Sequence, residues 1–223
     1  MTTLPSRRIS AFTLIELLVV VAVIALMVGV FGMALRDGGD PSTSLQSAQG
    51  TIASLLSSAR GQAALKGQTA ALFVNYQSSN ADRYLRYCVV ATTSDNVTWT
   101  AVNEGYYLPK GIYVVPPSFP VSETGVTFTP TLLSNGFDLN PVTGQKLNST
   151  TAEQWLVLAI NPQGQRTTVS GAAPGTNVVL SVANIQPAAT NPPMKFSNSA
   201  NVRGFSISQY GVAAFINDAG GFN

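Results

Sequence analysis

The feature that most constrains this chain is a long apolar run near its N-terminus. From Phe12 to Leu35 there are 24 residues, and Glu16 is the only charged one among them. A helix of that length spans about 36 Å, which exceeds the ~30 Å hydrocarbon core of a bilayer. The run is also too long for the apolar region of a cleavable secretory signal. It therefore predicts a transmembrane helix over 12–35.

The charges that flank this run set its expected orientation. Arg7 and Arg8 precede it, and no acidic residue does. Because positive residues next to a membrane segment stay in the cytoplasm, we expect a cytoplasmic N-terminus and export of the rest of the chain. The prediction is a single-pass topology.

Glu16 is the residue that such a segment should not contain. A charged side chain at the centre of a bilayer costs roughly 2.5–3.5 kcal/mol on insertion scales, so it indicates a functional site when a partner can be given. One alternative is a plain membrane anchor whose carboxylate snorkels to the headgroups. The residues around Glu16 favour a more specific interpretation.

The stretch AFTLIELLVVVAVIALM, residues 11–27, resembles the N-terminal signature of type IV pilins and pseudopilins. The resemblance implies a leader over 1–11, cleavage between Ala11 and Phe12 by a prepilin peptidase, and methylation of the new amine of Phe12. Glu16 is then the fifth residue of the mature chain. The family normally has glycine where this chain has Ala11, so we expect slower cleavage here.

In that family the glutamate is thought to attract the terminal amine of a neighbouring subunit. Two opposite charges ~4 Å apart attract by about 4 kcal/mol at an effective dielectric constant of 20. The resemblance therefore implies that Glu16 is an assembly residue, which sets the register between helices in a filament.

Composition limits the chemistry that the rest of the chain can perform. There is no histidine, and Cys88 is the only cysteine, which excludes imidazole catalysis, an intrachain disulfide and zinc sites built on these residues. There is no phosphate-binding loop, and the acids are scattered among loops without motif spacing. We expect no enzyme activity and no cofactor.

Charge and acid content also argue against nucleic-acid and metal partners. Of 12 basic and 10 acidic residues, removal of the leader with its two arginines leaves ten of each. No basic field for nucleic acid then remains, so we expect no nucleic-acid partner. After Glu153 the only acid is Asp218, too few oxygen ligands for a calcium loop, and we expect no bound metal.

Beyond the apolar run, the pattern predicts one more helix. Gly38, Gly39 and the Asp40-Pro41 pair disfavour helix continuation and predict a kink or a loop. An apolar stripe with helical spacing then follows, and Gly67 is the expected end of the helix. The stripe consists of Leu45, Ala48, Ile52, Leu55, Leu56, Ala59 and Ala63.

After Gly67 the sequence is typical of antiparallel strands, which are short, rich in Val, Thr and aromatic residues, and separated by Gly, Pro, Asn and Ser. The predicted strands cover 69–76, 83–92, 111–116, 125–130, 154–160, 177–183, 203–208 and 211–216. SQYG, residues 208–211, predicts a tight hairpin. Residues 134–150 and 187–202 are predicted to be exposed loops.

The order of these pieces is similar to the H-type minor pseudopilins of type II secretion and the related FimT-like and FimU-like minor pilins. The resemblance implies an α+β fold, in which a long N-terminal helix with a membrane half and an amphipathic half packs on an antiparallel β-sheet or sandwich domain. We expect four segments: a cytoplasmic leader 1–11, a transmembrane assembly helix 12–35, a kink and amphipathic helix 36–67, and a periplasmic β domain 68–223.

The expected function is that of a minor pseudopilin in the bacterial inner membrane, which initiates or caps the periplasmic pseudopilus of a type II secretion system. Its expected partners are other pseudopilins or pilins in a filament tip complex, the prepilin peptidase and the inner membrane. The alternative is a minor type IV pilin for pilus assembly, adhesion or DNA uptake. The absence of basic residues after Arg203 argues against DNA binding. A membrane-anchored sensor or enzyme that merely shares the signal is the third hypothesis.

Overall fold

A computed structural model of the protein describes residues 15, 17–24, 41–116, 133–137, 139–140, 153–169, 175–185, 194–197 and 201–222. The chain divides between Asp40 and Pro41 into two units, which are described separately. In the first unit, Ile15 and residues 17–24 are helical and exposed. Among the described residues, no helix is both long enough and apolar enough to cross a membrane.

The second unit begins with helix α1, Pro41–Lys66. Proline suits the first turn of a helix, where its missing N–H has no partner to lose. The helix ends at Gly67, whose φ of 61° is a left-handed conformation that glycine adopts without strain. The N–H of Gln68 then donates to the carbonyl of Ala63 at 3.2 Å, which closes the last turn. All seven residues of the predicted stripe are buried, so the helix prediction is confirmed.

Among the described residues, thirteen strands follow α1, and a 3-10 helix, Ala219–Phe222, comes last. The strands are β1 Thr69–Asn75, β2 Tyr87–Thr93, β3 Trp99–Ala101, β4 Tyr106–Tyr107, β5 Ile112–Val114, β6 Leu133–Phe137, β7 Leu139–Asn140, β8 Glu153–Ile160, β9 Arg166–Thr167, β10 Asn177–Ile185, β11 Met194–Phe196, β12 Val202–Ile207 and β13 Ala213–Ile216.

Two sheets organise the strands. The first sheet has the order β6-β8-β1-β2-β3-β7, with β4 also paired to β2 and β9 to β8. The second sheet has the order β11-β10-β12-β13, with β5 also paired to β10. Among the described pairings all are antiparallel except that of β3 with β7. The α+β class with antiparallel sheets is therefore confirmed.

Helix α1 contacts strands of both sheets, namely β1, β2 and β8 of the first and β5, β10 and β12 of the second. Its buried stripe forms one core with the inner residues of both sheets, including Leu72, Leu158 and Phe205. The opposite face of the first sheet carries a second buried cluster. There the Phe73 ring lies edge-on to Trp99 at 5.0 Å and to Trp155 at 6.1 Å. Because both faces of β1 are buried, its sequence is apolar without alternation.

The structure corrects both loop predictions. Residues 134–150 were expected to form an exposed loop, but β6 and β7 occupy part of this range. Likewise 187–202 contains β11 and the start of β12. These strands are polar or very short, and they form because they pair with other strands, which local composition does not reveal. The predicted strand 125–130 and the break at residues 38–40 lie outside the described residues.

The strand predicted over 83–92 begins later than expected. Residues 82–86 form turns, and Leu85 has a φ of 57°, a left-handed conformation that is rare for a branched side chain. Its backbone is fixed on both sides, because its N–H donates to the Asn75 carbonyl at 2.7 Å and its carbonyl accepts from Val114 at 2.9 Å. Leu85 thereby joins β1 to β5, and β2 starts only at Tyr87.

Candidate assembly surface

The sequence-predicted site residues are Ala11, Phe12 and Glu16, and all three lie outside the residues that the structure describes. Their described neighbours are helical, and the large apolar side chains among them are 45–71% exposed. Consecutive residues of a helix point about 100° apart, so 17–21 alone present apolar groups in every direction. A helix that is apolar all round needs lipid or other helices to cover it.

In the second unit, a buried amide connects α1 to the C-terminal hairpin. Gln49 is only 2% exposed, although it lies within the apolar stripe of the helix. Its Nε2 donates to the carbonyls of Gly204 at 2.9 Å and of Ile216 at 3.1 Å. These two residues face each other across β12 and β13, so one side chain holds both strands of the hairpin. This role was not predicted from the sequence. Its only sequence signal is that Gln49 lies between the buried positions 48 and 52.

The tight hairpin predicted at 208–211 is confirmed. The N–H of Gly211 donates to the Ser208 carbonyl at 3.0 Å, and the N–H of Ser208 donates to the Val212 carbonyl at 2.9 Å. Gly211 has a φ of 68°, the left-handed conformation that a three-residue hairpin loop requires at this position. A Cβ on Gly211 would also collide with the carbonyl oxygen of Gly164 in the β8–β9 turn. The tip of the hairpin therefore packs on the β8–β9 turn of the first sheet.

Apolar side chains project from this hairpin into solvent. Tyr210, Val212 and Phe215 are 65%, 52% and 59% exposed. The ring of Phe215 contacts the buried ring of Phe205, with centroids 4.9 Å apart. Phe215 therefore contacts the core through Phe205, while most of its side chain is exposed to solvent. We name residues 210–216 the hairpin edge.

A polar cluster lies at the other end of the first sheet. A guanidinium nitrogen of Arg83 is 3.9 Å from a Glu153 carboxylate oxygen. The fully buried amide of Asn75 donates to the same carboxylate at 3.2 Å. The Arg83 guanidinium also lies over the ring of Tyr87. Burial raises the pKa of Glu153, while Arg83 and the Asn75 hydrogen bond oppose this. The cluster closes the ends of β1 and β8.

The single cysteine and the acids present no reactive constellation in the described part of the chain. Burial raises the pKa of the Cys88 thiol to about 12, so it is protonated at neutral pH. The pKa of Asp95 is held well below its usual range because the N–H groups of Val97 and Thr98 donate to it, and the carboxylate stabilises a turn. Within the described ranges, no three Cys, Asp or Glu side chains gather where they could hold a metal ion.

Comparison with known proteins bears on the N-terminal segment. Residues 6–32 match the family described as the prokaryotic N-terminal methylation motif, a stretch that contains Ala11, Phe12 and Glu16. The match supports the type IV pilin and pseudopilin family, and it implies processing by a prepilin peptidase and assembly with other pilins. It also suggests anchoring in the inner membrane. No curated protein and no solved structure matches the chain.

Proposed function

We propose that this chain, which carries a prepilin-type methylation motif, is a minor pseudopilin: a structural subunit that initiates or caps the periplasmic pseudopilus of a type II secretion system. The observation that carries the proposal is the motif over residues 6–32. The second unit supports it, because a helix with one buried face packs there on antiparallel sheets, as the resemblance to H-type minor pseudopilins implies.

In this proposal the N-terminus is cut between Ala11 and Phe12, and the amine of Phe12 is methylated. Glu16 then lies four residues from a positive charge at the membrane interface. A carboxylate that is costly alone in lipid becomes favourable when a neighbouring subunit's amine pairs with it. The pairing selects one axial register between subunits, since only that register brings the two charges together.

The proposed topology follows from the charges. Arg7 and Arg8 keep the leader in the cytoplasm, 12–35 crosses the inner membrane once, and residues from about 45 onward face the periplasm. We propose a structural role rather than catalysis. Asp95 stabilises a turn, Glu153 lies at a strand end, and the Cys88 thiol is buried.

A minor type IV pilin is the second candidate, because the methylation motif is common to pilins and pseudopilins. Deleting the gene in its host distinguishes the two. Loss of folded cargo from the medium with surface pili retained supports the pseudopilin, whereas loss of pili with secretion intact supports the pilin.

The proposal is tested by co-expression of the full chain with a prepilin peptidase, followed by mass spectrometry of the N-terminus. We expect loss of residues 1–11 and an N-methylated Phe12. Ala11→Gly is the matched variant, and it should be cut faster because it restores the residue that the family normally has. An intact leader, or a cut beyond residue 35, contradicts the proposal.

A further inference from the structure

We propose that the hairpin edge is a docking site for another filament subunit, which adds an extended, uncharged segment as a strand beside β13. The inference rests on the proposed function to the extent that its partner is a pilin-like subunit.

Strand β13 presents backbone groups that no described strand uses. In the described part of the chain it pairs with β12 alone. The N–H of Ile207 donates towards β10, to Thr176, and the N–H of Ser208 donates towards β13, to Val212. Because these directions alternate along an antiparallel pair, residues 212, 214 and 216 point their backbone groups at β12. The N–H and C=O of Ala213 and Phe215 therefore point outward, as a template for another strand.

The side chains of the hairpin edge leave this template unprotected. Proteins usually block an edge strand with charges or proline. From residue 204 to 217 there is no charged residue and no proline. Of the seven large apolar side chains exposed in the described part of the second unit, three lie between 210 and 215. An exposed apolar group of this kind marks an interaction surface rather than a solvent face.

The opposite edge of the second sheet is β5, which pairs with β10 on the side away from β12. All three residues of β5 are buried, and the N–H of Val114 donates to the carbonyl of Leu85 at 2.9 Å. The same sheet therefore has one covered edge and one open edge. Because the open edge is neutral and apolar, a charged segment would lose hydration there without gaining a partner, and an uncharged segment is the matching occupant.

The edge is small, which favours a partner that is held in the same membrane. Four strand residues extend about 14 Å. One added strand of that length buries far less than the roughly 1,200–2,000 Å² that a stable complex of two soluble proteins buries. Such a contact is effective only when the partner is already held close, which raises its effective concentration. Subunits anchored side by side by their N-terminal helices meet this requirement.

Photo-crosslinking in the native host membrane tests the proposal with the full chain. A benzophenone amino acid is placed at Phe215 or Tyr210, and at Val97 as the control, because Val97 is 77% exposed on a turn of the first sheet. We expect adducts at 210 and 215 whose partner peptide belongs to another pilin-like subunit, about tenfold more abundant than at 97. Adducts with a second copy of this chain alone, or equal yields at all three positions, overturn it.

Two substitutions test the strand geometry. Ala213→Pro removes an outward N–H that β12 does not use, and Phe215→Lys adds a charge to the edge; Val97→Lys is the matched control. We expect both edge variants to fold, with melting temperatures near that of the wild type, and to lose about tenfold in co-purified partner, the effect of one or two net hydrogen bonds. Wild-type co-purification by both folded variants refutes docking here. Such a result with normal leader cleavage leaves the proposed function intact, whereas an uncut leader refutes that function instead.

Discussion

Replacing the buried amide of Gln49 should weaken the connection between α1 and the C-terminal hairpin. Gln49→Met keeps the length of the side chain but removes both hydrogen bonds, to Gly204 at 2.9 Å and to Ile216 at 3.1 Å. Each such bond contributes about 0.5–1.5 kcal/mol net, so the free energy of unfolding should fall by about 1–3 kcal/mol. The carbonyls remain in place, so the apolar methionine cannot recover this loss.

The assay is urea unfolding of the full chain in detergent, combined with hydrogen exchange of backbone amides. Exchange should accelerate in β13, to which Gln49 donates a hydrogen bond, more than in β1, to which it donates none. Gln46→Met is the matched control, because Gln46 is exposed on the same helix. That variant should stay within about 0.5 kcal/mol of the wild type.

Two results would refute this reasoning. One is a Gln49→Met variant as stable as the wild type, which would mean that the buried amide contributes nothing net. The other is an equal loss in Gln46→Met, which would mean that helix propensity rather than the buried contact sets the effect.

Two further predictions concern the core and pH. Ile52→Ala should cost about 2–5 kcal/mol in urea unfolding, because Ile52 is fully buried in the α1 stripe, whereas Leu65→Ala should cost little, because Leu65 is 81% exposed. The pKa of Glu153 is raised in the folded state, so the folded state binds this proton more tightly and stability should fall as pH rises above the unfolded value of 4.5. Unfolding curves between about pH 5 and 7 should show a shallower decline in Glu153→Gln, and an identical slope in both proteins would contradict the assignment.

The helix and the strongest strands were predictable because their signals are local. The three- and four-residue spacing of α1 is a property of one face, and Gly67 marks its end by a conformation that only glycine adopts freely. Strands β1, β8 and β10 are short Val- and Leu-rich runs bounded by turn residues. The hairpin turn between β12 and β13 was predictable from the sequence SQYG alone.

The rest depends on contacts between distant parts of the chain. Strand β6 has the largely polar sequence LSNGF, and it forms a strand because it pairs with β8. Hydrogen bonds to β1 and β5 hold Leu85 in its left-handed backbone conformation, and no local sequence pattern predicts that conformation. In the sequence Gln49 is a polar residue beside the apolar stripe of α1, and only the fold brings the carbonyls of residues 204 and 216 to it.

The N-terminal site was predicted from sequence alone. The methylation motif supports its identity, while Ala11, Phe12 and Glu16 lie outside the described residues. The hairpin edge had no such signal, since an open strand edge is defined by which neighbours are missing among the described strands. It follows only from the strand order.

Co-purification of Glu16→Gln with the other pilin-like subunits of its host tests the central claim most directly. If Glu16 pairs with a neighbour's terminal amine, the neutral amide should leave leader cleavage and the melting temperature of the full chain unchanged, yet reduce recovery of partner subunits. Glu16→Leu should insert in the membrane at least as well and assemble no better. Wild-type assembly by both variants would contradict the account and make Glu16 a residue that merely reaches the headgroups.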